Sequence, residues 1–137
     1  MKTITVFTPA YDRAHTLRRA FNSLKAQTCK DFEWLIIDDG STDGTSELVE
    51  RLQEEADFPI RYYWKENGGR HTAVNYSYQF LQTKYVVTLD SDDELTPNAV
   101  ELMIRTWNSI PKERYDHIWC VSGREMDANT LQLVGEP

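Results

Sequence analysis

Cysteine is scarce in this 137-residue chain, which carries only Cys29 and Cys120. The pair has neither metal-ligand spacing nor the density of a disulfide framework. This excludes a small bridged scaffold and reads as free thiols of a cytosolic protein. Long apolar runs are missing too: nothing approaches the roughly 20 residues that span a bilayer. Residues 1–7 lead straight into a strand-like pattern, with no apolar core of a signal peptide. Positive charge is in deficit, with 15 basic against 22 acidic residues and a net charge of −7. That sign disfavours a nucleic-acid backbone as partner. An anionic small molecule would need a metal ion or a local basic group. Several signatures are absent as well. There is no GxGxxG after the first strand, no GxxxxGK[ST], no GxSxG elbow and no CxxC pair.

What is present is ordinary globular usage, 40% apolar and 27% charged, in a chain long enough to bury a core. Short apolar runs alternate with helical stripes. Residues 4–7 are β-branched and aromatic, and Pro9 is expected to end that strand. Asp12 is expected to cap the next segment, where Leu17, Phe21 and Leu24 form a helical stripe. Residues 34–37 are apolar without alternation, as in a strand buried on both faces of a parallel sheet. A turn-rich loop follows, then a helix with Leu48, Val49 and Leu52 inward. A third strand covers 60–64, and a helix is predicted over 70–81 after Asn67, Gly68 and Gly69. Residues 85–89 form a fourth strand. Thr96 and Pro97 start a further helix, with Ala99, Val100, Met103, Ile104 and Trp107 on one face. A fifth strand is expected at 118–121, with a turn and a short strand in the tail. The tryptophans are expected in the core, and His15, His71 and His117 at the surface or in packing. Strict alternation predicts a three-layer α/β/α fold with a mostly parallel sheet.

In open parallel sheets, ligands bind beyond the carboxyl ends of the strands. The polar loops of this chain follow those ends. Asp90 and Asp92 lie at i and i+2, on one side of an extended segment. Two such carboxylates repel unless a cation sits between them. Their hard oxygens suit Mg²⁺ or Mn²⁺, with a substrate diphosphate completing the shell. The bland alternative is a solvated acidic turn before the next helix. Asp39, at the end of the second strand, can accept from a ribose hydroxyl or a base N–H; alternatively it only builds the turn and cap with Ser41 and Asp43. A third option is a calcium loop, because Asp39, Ser41, Asp43, Gly44 and Glu50 fall at positions 1, 3, 5, 6 and 12 of that pattern. Against it, Ser46 fills a normally apolar position, and a strand precedes the loop where a helix is needed. Gly68, Gly69 and Arg70 open a helix, where free N–H groups and a guanidinium favour an anion. Tyr11 can stack on a base or simply pack.

The ordered set resembles the family 2 glycosyltransferases of the GT-A fold. It comprises Thr8, Pro9, Ala10 and Tyr11; Leu17, Ser23, Leu24, Gln27 and Thr28; the run from Ile36 to Thr45; Glu66 to Arg70 with Asn75; and Leu89 to Asp93. The resemblance covers about residues 3–104. It implies a Rossmann-like GT-A nucleotide-diphospho-sugar transferase domain over 1–137. It implies inverting, metal-dependent transfer of a sugar from a nucleotide-diphosphate donor, most often UDP-linked, to an acceptor hydroxyl on a carbohydrate or lipid-linked molecule. By resemblance Thr8, Tyr11, Asp39, Arg70 and Asp90 bind the nucleotide, and Asp92 with Asp90 holds Mn²⁺ or Mg²⁺. A carboxylate base would deprotonate the acceptor. The family supplies that base well downstream, so the resemblance implies a chain truncated in its acceptor half and inactive in isolation. The location implied is cytoplasmic, with the inner membrane surface as the place where a lipid-linked acceptor would be met. The competing class is a non-catalytic nucleotide-diphosphate or calcium-binding module.

Overall fold

A computed structural model describes residues 1–117. The expected strand at 118–121, the tail and Cys120 lie outside the described residues. Residues 1–107 form one compact unit. Within it the strands are β1 (Ile4–Ala10), β2 (Phe32–Asp38), β3 (Ile60–Trp64) and β4 (Tyr85–Thr88). Their order is β3-β2-β1-β4, and every pairing is parallel. The helices are α1 (Ala14–Lys25), α2 (Thr45–Glu55), α3 (Arg70–Ser77) and α4 (Ala99–Ser109). From residue 108 a second unit begins; its described part includes the last two residues of α4 and a 3-10 turn at Lys112–His117.

The layers follow from the period of two along each strand. Val6, Trp34 and Ile36 pack with Leu17, Phe21, Leu24, Val49, Leu52 and Val100 on one face of the sheet. Their immediate neighbours Phe7, Leu35 and Ile37 pack with Ala73, Tyr63 and Phe80 on the other. The unbroken apolar run of β2 therefore feeds two cores, as expected for a strand covered on both sides.

Pro9 does not end β1. It lies inside the strand, opposite Ile37. The Phe7 carbonyl accepts from the Leu89 N–H toward β4, whereas the Ala10 carbonyl accepts from the Asp39 N–H toward β2. Main-chain groups alternate sides, so the N–H that proline lacks falls toward β4. The β1–β4 ladder has already ended there, at Phe7 and Thr88.

The predicted helix over 70–81 is also shorter. It ends at Ser77, and Tyr78–Phe80 tighten into a 3-10 turn. Ser77 Oγ donates back to the Val74 carbonyl at 2.6 Å. The tighter turn brings the Phe80 ring onto Tyr63, stacked at 3.8 Å.

Asp12 is no helix cap. Its φ is +49°, and Arg13 takes the cap position with no side-chain cap bond of its own; the first helical N–H, of Ala14, is taken instead by the Asp43 carboxylate. Of the tryptophans, Trp34 is fully buried, but Trp64 is more than half exposed because β3 is an edge strand. His15 and His71 are exposed.

Candidate functional site

The carboxyl ends of β1, β2, β3 and β4 face one cleft of about 530 Å³. Its walls include Tyr11, Arg13, Asp39, Asn67, Arg70, Asp90 and Asp92. The volume lies within the range of small-molecule sites.

One wall is built from Asp39. Asp38 ends β2 fully buried, its oxygens accepting from the Ser41 N–H at 2.8 Å and the Tyr62 hydroxyl at 2.5 Å. Burial and the Asp38 carboxylate push the Tyr62 hydroxyl well above its ordinary value. Asp39, one residue on, turns the other way. Its Oδ1 accepts from Lys65 Nζ at 2.7 Å and the Gly68 N–H at 3.0 Å. Its Oδ2 accepts from the Gly69 N–H at 2.8 Å and, more weakly, from Asn67 Nδ2 at 3.3 Å. Burial pushes the Asp39 carboxyl up, but Lys65 and the Gly68 and Gly69 N–H groups outweigh it and hold the carboxyl below its usual value. Two glycines permit this close approach. Gly40 has φ +86°, and a Cβ there would come within 2.7 Å of the Asn67 nitrogen. Gly69, at φ +99°, turns its N–H onto Asp39.

Tyr11 stands half exposed at the lip of the cleft. The turn behind it is clasped across loops. The Asp12 N–H donates to Ser41 Oγ at 2.8 Å, and the Thr42 N–H donates to Asp12 Oδ1 at 2.9 Å. Asp43 Oδ2 accepts the Ala14 N–H, and Oδ1 accepts the Thr45 N–H. The side-chain oxygens of Asp39, Ser41 and Asp43 in the calcium-loop pattern are thus engaged by N–H groups and an ammonium. A strand, not a helix, leads into that loop. Among the described residues, no three His, Cys, Asp or Glu side chains gather as a cation cage.

The opposite wall is acidic. Asp90 Oδ1 accepts from the Arg70 guanidinium at 2.7 Å, with both side chains well exposed. The Asp93 N–H donates to the Asp90 carbonyl at 3.0 Å, closing a turn. Arg19 of α1 donates to the Asp92 carbonyl at 2.7 Å and holds that turn from outside. Burial pushes the Asp93 carboxyl up, the Asp92 and Asp90 charges push it further, and Arg19 offsets only part. Negative charge is therefore in local excess. An exposed pair of carboxylates with no complete cage fits Mg²⁺ or Mn²⁺, which bind through one or two carboxylates plus substrate phosphates.

The cleft brings together Tyr11, Asp39, Arg70, Asp90 and Asp92. It does not include Thr8. That residue is fully buried; its hydroxyl donates to the Leu89 carbonyl at 2.6 Å and accepts the Trp34 indole N–H at 2.8 Å. Thr8 supports β1 and β4 from behind the cleft, and its hydroxyl is committed there. Sequence reasoning did not single out Arg13, Arg19, Lys65 or a role for Asn67. The strand-end rule covers Lys65, which directly follows β3.

Residues 5–129 match the family model described as Glycosyl transferase family 2. The chain belongs to that family. This glycosyl transferase family 2 chain is 35% identical over 107 residues to an uncharacterised glycosyltransferase of Rickettsia conorii, covering 78% of the chain and 17% of that protein. It is 38% identical over 102 residues to the chondroitin synthase of Pasteurella multocida, covering 74% and 10%. It therefore spans under a fifth of the length of these two curated relatives. S. aureus TarS 1–349, solved with UDP-GlcNAc, superposes with a TM-score of 0.72 at 25% identity, over 79% of this chain and 31% of that 1–349 chain. The mannosyltransferase PcManGT of Pyrobaculum calidifontis, solved with GDP-Man and Mn²⁺, gives 0.71 at 24%, over 79% and 32%. The α/β chain with its parallel sheet has the GT-A fold of these neighbours.

Proposed function

We propose that this chain supplies the donor and metal half of an inverting glycosyltransferase. The observation that carries the reading is the pairing of Arg70 with Asp90 beside Asp92, across the cleft from the anchored Asp39. Tyr11 stacks on the nucleobase, and Asp39 accepts a ring N–H from it. The long contact from Asn67 to Asp39 is the one the base replaces, since the Asn67 amide keeps its 2.8 Å bond to the Asp39 carbonyl. Arg70 swings from Asp90 to the diphosphate. Asp92 and Asp90 would hold Mn²⁺ or Mg²⁺, which when bound neutralises the leaving diphosphate.

The reaction forms a bond from the acceptor hydroxyl oxygen to the anomeric carbon, on the face opposite the diphosphate. The bond from that carbon to the diphosphate oxygen breaks, and the nucleoside diphosphate leaves with the electron pair. A carboxylate base takes the hydroxyl proton. The proposal assigns that base to none of the residues named at the cleft, which bind donor and metal. A UDP-sugar donor is supported by TarS with UDP-GlcNAc, and a carbohydrate acceptor by a relative named chondroitin synthase; a lipid-linked acceptor is the alternative this proposal keeps. GDP-Man in PcManGT makes guanine the second base to try. Among the described residues no helix is long and apolar enough to cross a membrane; a cytoplasmic location is part of this proposal.

Calorimetry with UDP in Mn²⁺, in EDTA, and with Ca²⁺ alone tests it. UDP binding that needs Mn²⁺ is expected. Tight Ca²⁺ binding without nucleotide, and no UDP or GDP binding, would overturn it in favour of the calcium loop.

A further inference from the structure

Lys65 is a half-buried cation that the donor chemistry does not require. Only 16% of its side chain is exposed, and the Asp39 side chain it meets is 5% exposed. Its ammonium donates to Asp39 Oδ1 at 2.7 Å, to the Glu66 carbonyl at 2.5 Å and to Thr72 Oγ1 at 2.8 Å. The three donors of a lysine are thus all placed. Thr72 Oγ1 in turn donates to the Gly69 carbonyl at 2.6 Å. The Lys65 N–H also donates to the Asp38 carbonyl at 2.8 Å. One residue therefore ties the end of β2, the Asn67–Gly69 turn and the first turn of α3 into a unit. Lys65 is absent from the cleft wall; whatever it does for a ligand, it does through Asp39.

We propose that Lys65 is a positioning residue for nucleobase recognition, fixing the Asp39 carboxylate and the Gly68–Gly69 turn as one rigid acceptor before the nucleotide arrives. This rests on the donor-site reading above. The physical reason is the direction of the lone pairs. Lys65, Gly68 and Gly69 hold the carboxylate by short bonds, whereas Asn67 holds it by a long one. An entering base N–H therefore meets a carboxylate that cannot rotate, with its weakest partner on the side that yields. Without the ammonium, the buried carboxylate loses its charge partner. It then turns toward other donors or takes up a proton. Binding must then restore the geometry, which lowers affinity. The metal end of the cleft, at Asp90 and Asp92 on the opposite wall, receives none of the ammonium's bonds.

The test separates the two ends of the ligand. UDP in Mn²⁺ probes both; inorganic pyrophosphate in Mn²⁺ probes the metal end alone. Lys65→Met is expected to weaken UDP roughly ten- to a hundredfold, the scale of one charged hydrogen bond, and to leave pyrophosphate unchanged. In an Asp39→Asn background the same substitution is expected to add little, because the two residues act as a unit. Lys65→Gln, which keeps a donor, gives a second variant if Lys65→Met does not fold. Equal losses for UDP and pyrophosphate would overturn the proposal, as would a full Lys65 effect in the Asp39→Asn background or unchanged UDP affinity in a folded Lys65 variant. Failure of the donor-site reading looks different: the wild-type chain would not bind UDP or GDP, or Asp39→Asn alone would bind UDP as wild type does.

Discussion

Arg70 and Asp90 reach each other across the cleft from two different elements, with 2.7 Å between guanidinium and carboxylate. The pair is exposed, 61% and 46% at its side chains, so it contributes little to stability. In the proposed donor site the pair is a stored cation at the mouth of an acidic cleft: a diphosphate would offer Arg70 more charge than Asp90 does, and the exchange would free Asp90 for a divalent ion.

Arg70→Ala should therefore weaken UDP binding in Mn²⁺ by roughly ten- to a hundredfold. The melting temperature should hardly move, since exposed substitutions are usually within about 0.5 kcal/mol. Calorimetry and a thermal melt on the same sample check both halves. A large drop in stability with unchanged UDP affinity would assign the arginine a structural role.

Asp92→Asn should weaken UDP in Mn²⁺ and change little in EDTA. The carboxylate is proposed as a metal ligand, and its backbone carbonyl, held by Arg19, is retained in the variant. Equal UDP affinity for wild type and variant in Mn²⁺ would remove Asp92 from the metal site.

Asp39 should shape the acid limb of stability. Its folded carboxyl is held below the ordinary value of about 4, so the folded state favours the ionised form. That contribution is complete above the unfolded value and is lost as pH falls from there through the lower folded value. Asp43 has the same sign, and Asp93, held up, the opposite one. Urea unfolding of wild type and Asp39→Asn at a series of pH values isolates Asp39, because the other two are common to both. The variant should show a shallower loss of stability below about pH 4; parallel curves would contradict the assignment.

Thr8→Val should cost about 1–3 kcal/mol of stability. It leaves the buried Trp34 indole N–H without its partner and the Leu89 carbonyl without a donor. UDP affinity of the folded variant should persist, because the hydroxyl faces away from the cleft. Loss of nucleotide binding without loss of stability would return Thr8 to the nucleotide site.

The alternation of strands and helices was legible because periodicity is a local property of the chain. The apolar run of residues 34–37 announced a strand covered on both sides, and Trp34, Leu35, Ile36 and Ile37 do feed two cores. The rule that ligands lie beyond strand ends then located the loops of Tyr11, Asp39, Arg70 and Asp90 with no contact known. Where local reasoning misread an element, a neighbour had decided the matter. Pro9 continues β1 because the β4 ladder stops short of it, and the helix expected to reach residue 81 tightens early to stack Phe80 on Tyr63.

The sequence by itself thus determined where the four described strands fall, though not their ends, which loops carry carboxylates and which family the pattern belongs to. Tertiary structure alone decided what each polar group is bonded to. Lys65 meets Asp39 across 26 residues, and Arg19 meets the Asp92 carbonyl across 73. Thr8 spends its hydroxyl on Leu89, 81 residues away. Such pairings leave no trace in local spacing, because a hydrogen bond depends on a few ångströms in space and a parallel sheet brings together strands far apart in the chain. A carboxylate in a loop is visible in the sequence; whether it is free, buried or already held by an ammonium is settled by the fold.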